Sequence, residues 1–239
     1  MLNQVNIQRE APIANKLLAA LTPVDYRHML MSLESVTLTF GDVLYEAGDL
    51  IEYIYFPIDS LISLLTAVDS LRALEVGIVG HEGLVGTSVV LGAEISPVRV
   101  MVQGAGLAMR MKVALFRITL RKNQAFQDAV LLYLHALMRQ IAQTAACNRF
   151  HMVEERLARW LLLTRDHVDS NHFYLTHEFL ANLLGIRRVG VTKAAHSLKL
   201  RKLIEYSRGN IHIIDGAGLE SAACSCYALV QDKTSSGQK

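Results

Sequence analysis

The stretch Leu175–Leu200, LTHEFLANLLGIRRVGVTKAAHSLKL, restricts the fold more than any other part of the chain. Thr176 is placed to cap a helix, with Leu175 and Leu180 spaced as a hydrophobic staple around it. The helix opened there carries Phe179, Leu180, Leu183 and Leu184 on one apolar stripe. Gly185 supplies the bend, because a sharp turn after a helix often needs positive φ. A second helix turns Val191, Ala194, Ala195 and Leu198 inward and leaves Arg187, Arg188, Lys193 and Lys199 outside. Ala181 lets the helices cross closely, and Val191 fills the gap between them. This is a helix-turn-helix, whose second helix fits a major groove. The bland alternative is an ordinary helical hairpin.

Charge points the same way. Residues 1–100 hold five Lys/Arg against twelve Asp/Glu, whereas residues 185–210 hold seven against Glu205 alone. Positive charge thus concentrates on the helix-turn-helix, as expected of a surface that approaches phosphates. With 51% hydrophobic and 19% charged residues, the 239-residue chain has the composition of a folded globular protein. Cys147, Cys224 and Cys226 are too few and too clustered for a disulfide framework and suit a reducing cytoplasm. Met1–Glu10 lacks the apolar core of a signal peptide, and Ala129–Met138 is too short to span a bilayer. The expectation is a cytoplasmic protein without membrane contact.

In chain order, residues 1–35 read as peripheral helix, with Ile13, Leu17, Leu18 and Leu21 on one face. From Val36 to about Met111 the period becomes that of short strands punctuated by Gly, Asp and Pro, a β-sandwich or jelly roll. A long helix follows from roughly Gln124. Val130, Leu134, Leu137, Ile141, Thr144 and Asn148 recur along it in steps of four and three, the heptad seam of two paired helices. Leu131, Leu132, Met138 and Ala142 offer a second apolar face for the chain's own sandwich. Val153–His167 is amphipathic, Asp166–Asn171 reads as a polar loop, and Ser207-Arg208-Gly209-Asn210 joins two β-rich runs as a hairpin. The terminus Thr234–Lys239 reads as disordered.

The predicted class is therefore α+β, in four parts: helices and a sensor roll over 1–112, a linker and dimerisation helix over 113–151, a winged helix-turn-helix over 152–217, and a tail over 218–239. This architecture resembles the Crp/Fnr superfamily of bacterial transcription regulators over residues 35–215. Gly41-Asp42-Val43-Leu44-Tyr45-Glu46-Ala47-Gly48-Asp49 looks like the family's early strands, and Tyr53-Ile54-Tyr55-Phe56-Pro57 like the strand that follows. The match over Thr176–Leu200 is the more specific. The resemblance implies that Arg187, Arg188, Val189 and Lys193 read bases, Arg188 by a bidentate pair to guanine. Val189 stands where many members carry glutamate, so a thymine-methyl contact replaces the usual acceptor. Thr176, His177, Thr192 and Arg208 become candidates for phosphate contacts. Implied partners are a second copy of the chain, a palindromic duplex and RNA polymerase.

The family's cyclic-nucleotide members use a Gly-Glu segment and a strand-borne arginine for sugar and phosphate. Here the segment is Gly80-His81-Glu82-Gly83-Leu84, with either His81 or Glu82 at the glutamate position. The arginine position falls near Ser96-Pro97-Val98; Arg99 is close, but a shift of one to three residues can turn it to the opposite face. Cyclic AMP and cyclic GMP stay open as effectors. An iron–sulfur cluster needs four thiolates, and the chain has three, none before Cys147. A haem would draw on His28, His81 or Cys147. Cys224-x-Cys226 has no matching second pair, so it reads as surface tail and no metal site is assigned.

No Ser/His/Asp arrangement, phosphate-cradling loop or metal-ligand spacing supports an enzyme. The sequence reads as a homodimeric, sequence-specific DNA-binding regulator with an effector-sensing roll, which need not use a classical cyclic nucleotide. The alternative is a ligand-binding or protein-interaction module of the same fold without specific DNA binding.

Overall fold

The computed structural model describes residues 14–67, 73–168 and 170–231. The expectations for Met1–Glu10, Ile13 and Thr234–Lys239 fall outside these residues. Two short helices, α1 (Lys16–Ala19) and α2 (Pro23–Leu30), lead into the roll. Its strands are β1 (Glu34–Leu38), β2 (Val43–Tyr45), β3 (Tyr53–Pro57), β4 (Leu61–Ala67), β5 (Ala73–Val79), β6 (Arg99–Gly104) and β7 (Gly106–Lys112). They form two antiparallel sheets, ordered β1-β7-β3 and β2-β6-β4-β5.

Between the sheets lie Ile54, Phe56, Ile62, Val79, Val100, Val102 and Met111. Helix α3 (Val113–Lys122) and the long helix α4 (Gln124–Phe150) close this core with Phe116 and Phe126, whose rings stand 6.2 Å apart. Strand β4 is buried on both faces. Ile62 and Leu64 point into the roll, while Leu61 and Leu65 join a second core built around α5 (Val153–Val168). A strand buried on both sides loses the usual alternation, and the run Leu61-Ile62-Ser63-Leu64-Leu65 shows that loss.

The second core belongs to the C-terminal domain. It comprises α5, a three-stranded sheet ordered β8 (His172–Tyr174), β10 (Asn210–Ile213), β9 (Ile204–Ser207), and the helices α6 (His177–Leu184) and α7 (Arg188–Leu200). The loop foreseen at 166–171 is shorter, since α5 runs to Val168, and strand β8 gives the hairpin a third strand. The segment from 218 onward, expected to be a plain tail, instead carries most of α8 (Gly216–Ala222) and all of α9 (Cys226–Gln231). Leu219, Ala222 and Tyr227 are buried in the same core, because α5 leaves an apolar flank that the wing does not cover.

The long helix also departs from expectation. Val130, Leu134 and Leu137 are buried, with Ile141 packed at the edge of the roll core, while Leu131, Leu132 and Met138 are exposed. The seam expected to meet a second copy packs on the chain's own roll, and the face expected to pack there is exposed. The reason is energetic: the richer apolar seam is taken by the chain's own sheet, a contact that costs no association entropy. One residue of offset, about 100° around the helix, separates that seam from its neighbour.

Candidate nucleic-acid interface

Helix α6 starts where Thr176 Oγ1 accepts the Phe179 N–H at 3.2 Å, with Glu178 in the positive first turn. Truncation of this cap, Thr176→Ala, is expected to lower stability by about 1 kcal/mol. A urea melt would show a lower midpoint at unchanged slope, and an unmoved midpoint would mean the cap is dispensable. The helix ends at Gly185, whose φ of 63° is the left-handed turn expected there, closed by Ile186 N–H on the Ala181 carbonyl at 2.9 Å. Arg156 of α5 donates to the Leu184 carbonyl and seals the same end from below.

Ala181 and Val191 are both buried at the crossing of α6 with α7. This orientation leaves Arg187, Arg188, Val189, Lys193 and Lys199 exposed on the outer side of α7. Val189 is 64% exposed at the start of the helix, so packing gives no reason for an apolar residue there. Thr176 uses its oxygen as the cap and keeps its proton for a phosphate. At the tip of the β9–β10 hairpin, Arg208 and Gly209 have φ of 49° and 90°, the pair of positive values a type I′ turn demands. That turn holds the Arg208 side chain out on the surface.

His177 and Thr192 behave differently from the free phosphate donors foreseen in the sequence. Thr192 Oγ1 donates to the Arg188 carbonyl at 3.1 Å, so it accepts from His177 Nδ1–H at 3.0 Å. The imidazole also stacks on Tyr206 of β9 at 4.1 Å. Burial and the Arg188 charge lower its pKa and keep it neutral. These two side chains tie α6, α7 and the wing together, and neither has a proton left for DNA.

The residues proposed for an effector are likewise not all gathered. Gly80-His81-Glu82-Gly83-Leu84 follows β5, where Gly80 N–H donates to Glu82 at 3.1 Å and Tyr133 of α4 donates to the Leu84 carbonyl at 3.2 Å. A Cβ at Gly83 would run into the Tyr133 ring, and one at Gly80 into His167 of α5. Glu82 faces His167 at 3.5 Å. Burial opposes its charge, but His167 and the Gly80 N–H outweigh burial and hold Glu82 at about 2. Arg99 does not join this group. It pairs with Leu65 across the sheet, whereas Val79 pairs with Ile62, three residues further along the same strand. That is about 10 Å at the rise of a strand. Arg99 instead meets Glu46 at 3.3 Å on the rim, with 44% of its side chain exposed. The Gly80–Leu84 loop is thus packed against Tyr133 and His167, with Arg99 elsewhere.

Sequence reasoning missed the polar contact between roll and C-terminal domain. Glu75 of β5 accepts from Trp160 Nε1 at 2.7 Å and lies 2.6 Å from Ser63 Oγ, all three buried. Gln140 of α4 accepts the Ile78 N–H at 2.8 Å. The doubly buried β4 run was the available signal.

The chain thus has a two-part architecture, a β-roll closed by a long helix and a winged helix-turn-helix behind it. Residues 155–222 match the family described as the Crp-like helix-turn-helix domain. The whole chain has the fold of the Crp/Fnr transcription regulators. It superposes on FixK2 of Bradyrhizobium japonicum with a TM-score of 0.69 at 11% identity, covering 81% of this chain and 98% of that one. The c-di-GMP responsive global regulator CLP of Xanthomonas campestris gives 0.66 at 16% identity, over 80% and 99% of the two chains. A transcriptional regulator of the CRP family from Thermus thermophilus gives 0.66 at 17%, over 79% and 96%. No curated protein sequence matches the chain. Among the described residues no helix is long and apolar enough to cross a membrane.

Proposed function

We propose that the chain is a homodimeric, sequence-specific DNA-binding regulator of transcription. The observation that carries this reading is the outer side of α7, where Arg187, Arg188, Val189 and Lys193 stand clear of the core. They are flanked by the free hydroxyl proton of Thr176 and by Arg208 at the wing tip. Arg188 has the length and the fork to pair with guanine O6 and N7, and Val189 to meet a thymine methyl. Thr176, Arg208 and Lys199 would position the helix on phosphates.

Two copies would pair through the exposed face of α4. Leu131, His135, Met138, Ala142, Ala145 and Arg149 lie along that face and recur in steps of four and three. A twofold dimer would place the two recognition helices in major grooves one turn apart, about 34 Å, on a palindrome within reach of RNA polymerase. The roll touches the C-terminal domain through Glu75–Trp160, Glu82–His167 and the Phe40–Phe179 ring pair at 5.1 Å. An input there would shift the winged helix only by favouring one arrangement of these contacts over another. Because Tyr133 and His167 fill the Gly80–Leu84 loop, DNA binding would not require cyclic AMP or cyclic GMP.

Selection from a random duplex pool, followed by anisotropy titration at fixed salt, tests the reading. A palindrome should emerge, with affinity unchanged by either nucleotide. Arg188→Ala should weaken the selected site by about 1–3 kcal/mol and relax preference at one position of each half-site. If no sequence is enriched, the chain is an interaction module that shares only the fold.

A further inference from the structure

The feature furthest from the sequence-based expectations lies where α4 ends. Cys147 sits on the last turn of α4, and His151 follows four residues later as its C-cap. Residues i and i+4 share one helix face, so both point toward the same side. The segment after the wing crosses that side and brings Cys224 and Cys226, two residues apart, just before and at the start of α9. All three cysteines are buried and carry free thiols.

The four donor atoms, three Sγ and one imidazole nitrogen, lie within 4.8 Å of one another. Cys147 Sγ is 3.5 Å from Cys224 Sγ, and Cys226 Sγ is 3.4 Å from His151 Nδ1. A disulfide is about 2.05 Å long, so no bond joins the sulfurs. The edges of a tetrahedron built with zinc–sulfur bonds of about 2.3 Å and zinc–nitrogen bonds of about 2.05 Å are roughly 3.8 Å and 3.6 Å. These two spacings are close to the edges of a ligand set around one small ion, and the four donors are near enough to converge on it. An iron–sulfur cluster would hold an inorganic core between its thiolates and spread them further apart.

We propose that Cys147, His151, Cys224 and Cys226 form a structural zinc site of the Cys3His type. Binding releases the thiol protons to solvent, leaving three thiolates and a neutral imidazole on a dication, with a net charge of −1. Two guanidiniums, those of Arg156 and Arg159, are buried beside the thiols and act on them electrostatically. They would balance that charge. Gln143 Nε2 donates to Cys226 Sγ at 2.9 Å, the kind of outer contact that orients a metal ligand. The hydrogen bond with Cys224 and the Arg159 charge hold the Cys147 thiol below its ordinary value, against the opposing effect of burial.

Position gives the site its consequence. The ion would clamp α9 to the end of α4, at the point where the chain turns into α5 and the DNA-binding domain. The absence of a second Cys pair in the sequence argued against a metal only because Cys147 and His151 lie about 75 residues upstream. A four-residue spacing on a helix end completes what a second pair would otherwise supply.

The test is metal analysis of the full chain purified under reducing conditions without added metal. About one zinc per chain is expected. It should be lost from Cys224→Ser and from Cys226→Ser and kept by Ser225→Ala, the exposed residue between them. Should the serine variants fail to fold, cobalt substitution of the unaltered protein decides: tetrahedral ligand-field bands with thiolate charge transfer support the site. An octahedral spectrum, zinc retained by every variant, iron with acid-labile sulfide, or a metal-free protein that forms a Cys147–Cys224 disulfide would each overturn it. None of these readouts depends on DNA, so the site stands or falls apart from the regulator reading.

Discussion

Glutamate at both Leu131 and Met138 should convert the protein to a folded monomer and lower its affinity for a palindromic duplex by about a hundredfold or more. The two side chains are 47% and 66% exposed, so neither is needed by the chain's own core. In a paired α4 they would lie on the seam, and the introduced carboxylates would face like charges across it. The loss at DNA follows from the loss of bivalence. One winged helix bound to a half-site presents its tethered partner to the other half at high effective concentration, and the monomer forfeits that factor, commonly ~10²–10⁴. Sedimentation would read the mass, circular dichroism the intact fold, and anisotropy the affinity. A variant that remains dimeric would exclude this face. The contrasting substitution is Leu134→Ala on the neighbouring seam, which should cost about 2–5 kcal/mol of stability and leave association unaltered in whatever fraction stays folded.

Those two seams show what the sequence could and could not say about the long helix. With His135 counted, the second face also recurs in steps of four and three, so periodicity alone cannot rank them. The heptad steps suggested that Val130, Leu134 and Leu137 meet a partner; the roll claims them instead. The winged helix was more legible. Thr176, Ala181, Gly185 and Val191 each have a local reason for their identity, and local reasons survive into the fold. His177 and Thr192 were less legible for the opposite reason. Their ring and hydroxyl are engaged by Tyr206 and by the Arg188 carbonyl, and they bond to each other across two helices, contacts that spacing alone does not reveal. The same holds for the four proposed metal-ligating side chains, split between a helix end and a segment far downstream. It holds also for Glu75, whose partners Ser63 and Trp160 come from two different domains.

Glu75 gives the second large effect, a dependence of stability on pH that Glu75→Gln should abolish. Burial raises its pKa from the ordinary 4.5 to about 7, more than the hydrogen bonds from Ser63 and Trp160 lower it. The hydrogen-bond count agrees. Ser63 Oγ contacts both Glu75 and the Gln103 carbonyl oxygen, yet it has one proton to give. If Glu75 carries a proton, it donates to Ser63, Ser63 donates to Gln103, and the chain of donors closes. In the unfolded chain the carboxyl ionises near 4.5, whereas in the fold it holds its proton to about 7. Its contribution is therefore complete below 4.5 and lost as pH rises through 7, a difference on the order of 3 kcal/mol. Glu82, held near 2, has the opposite sign: its own contribution is lost as pH falls below 4.5. Glutamine offers a carbonyl to Trp160 and an amide proton to Ser63 without ever ionising. Urea melts at pH 4.5 and pH 8 should find the two proteins equal at the lower pH and the variant more stable at the higher. Parallel curves at both values would mean that Glu75 is ionised in the fold and that Trp160 and Ser63 together hold its charge.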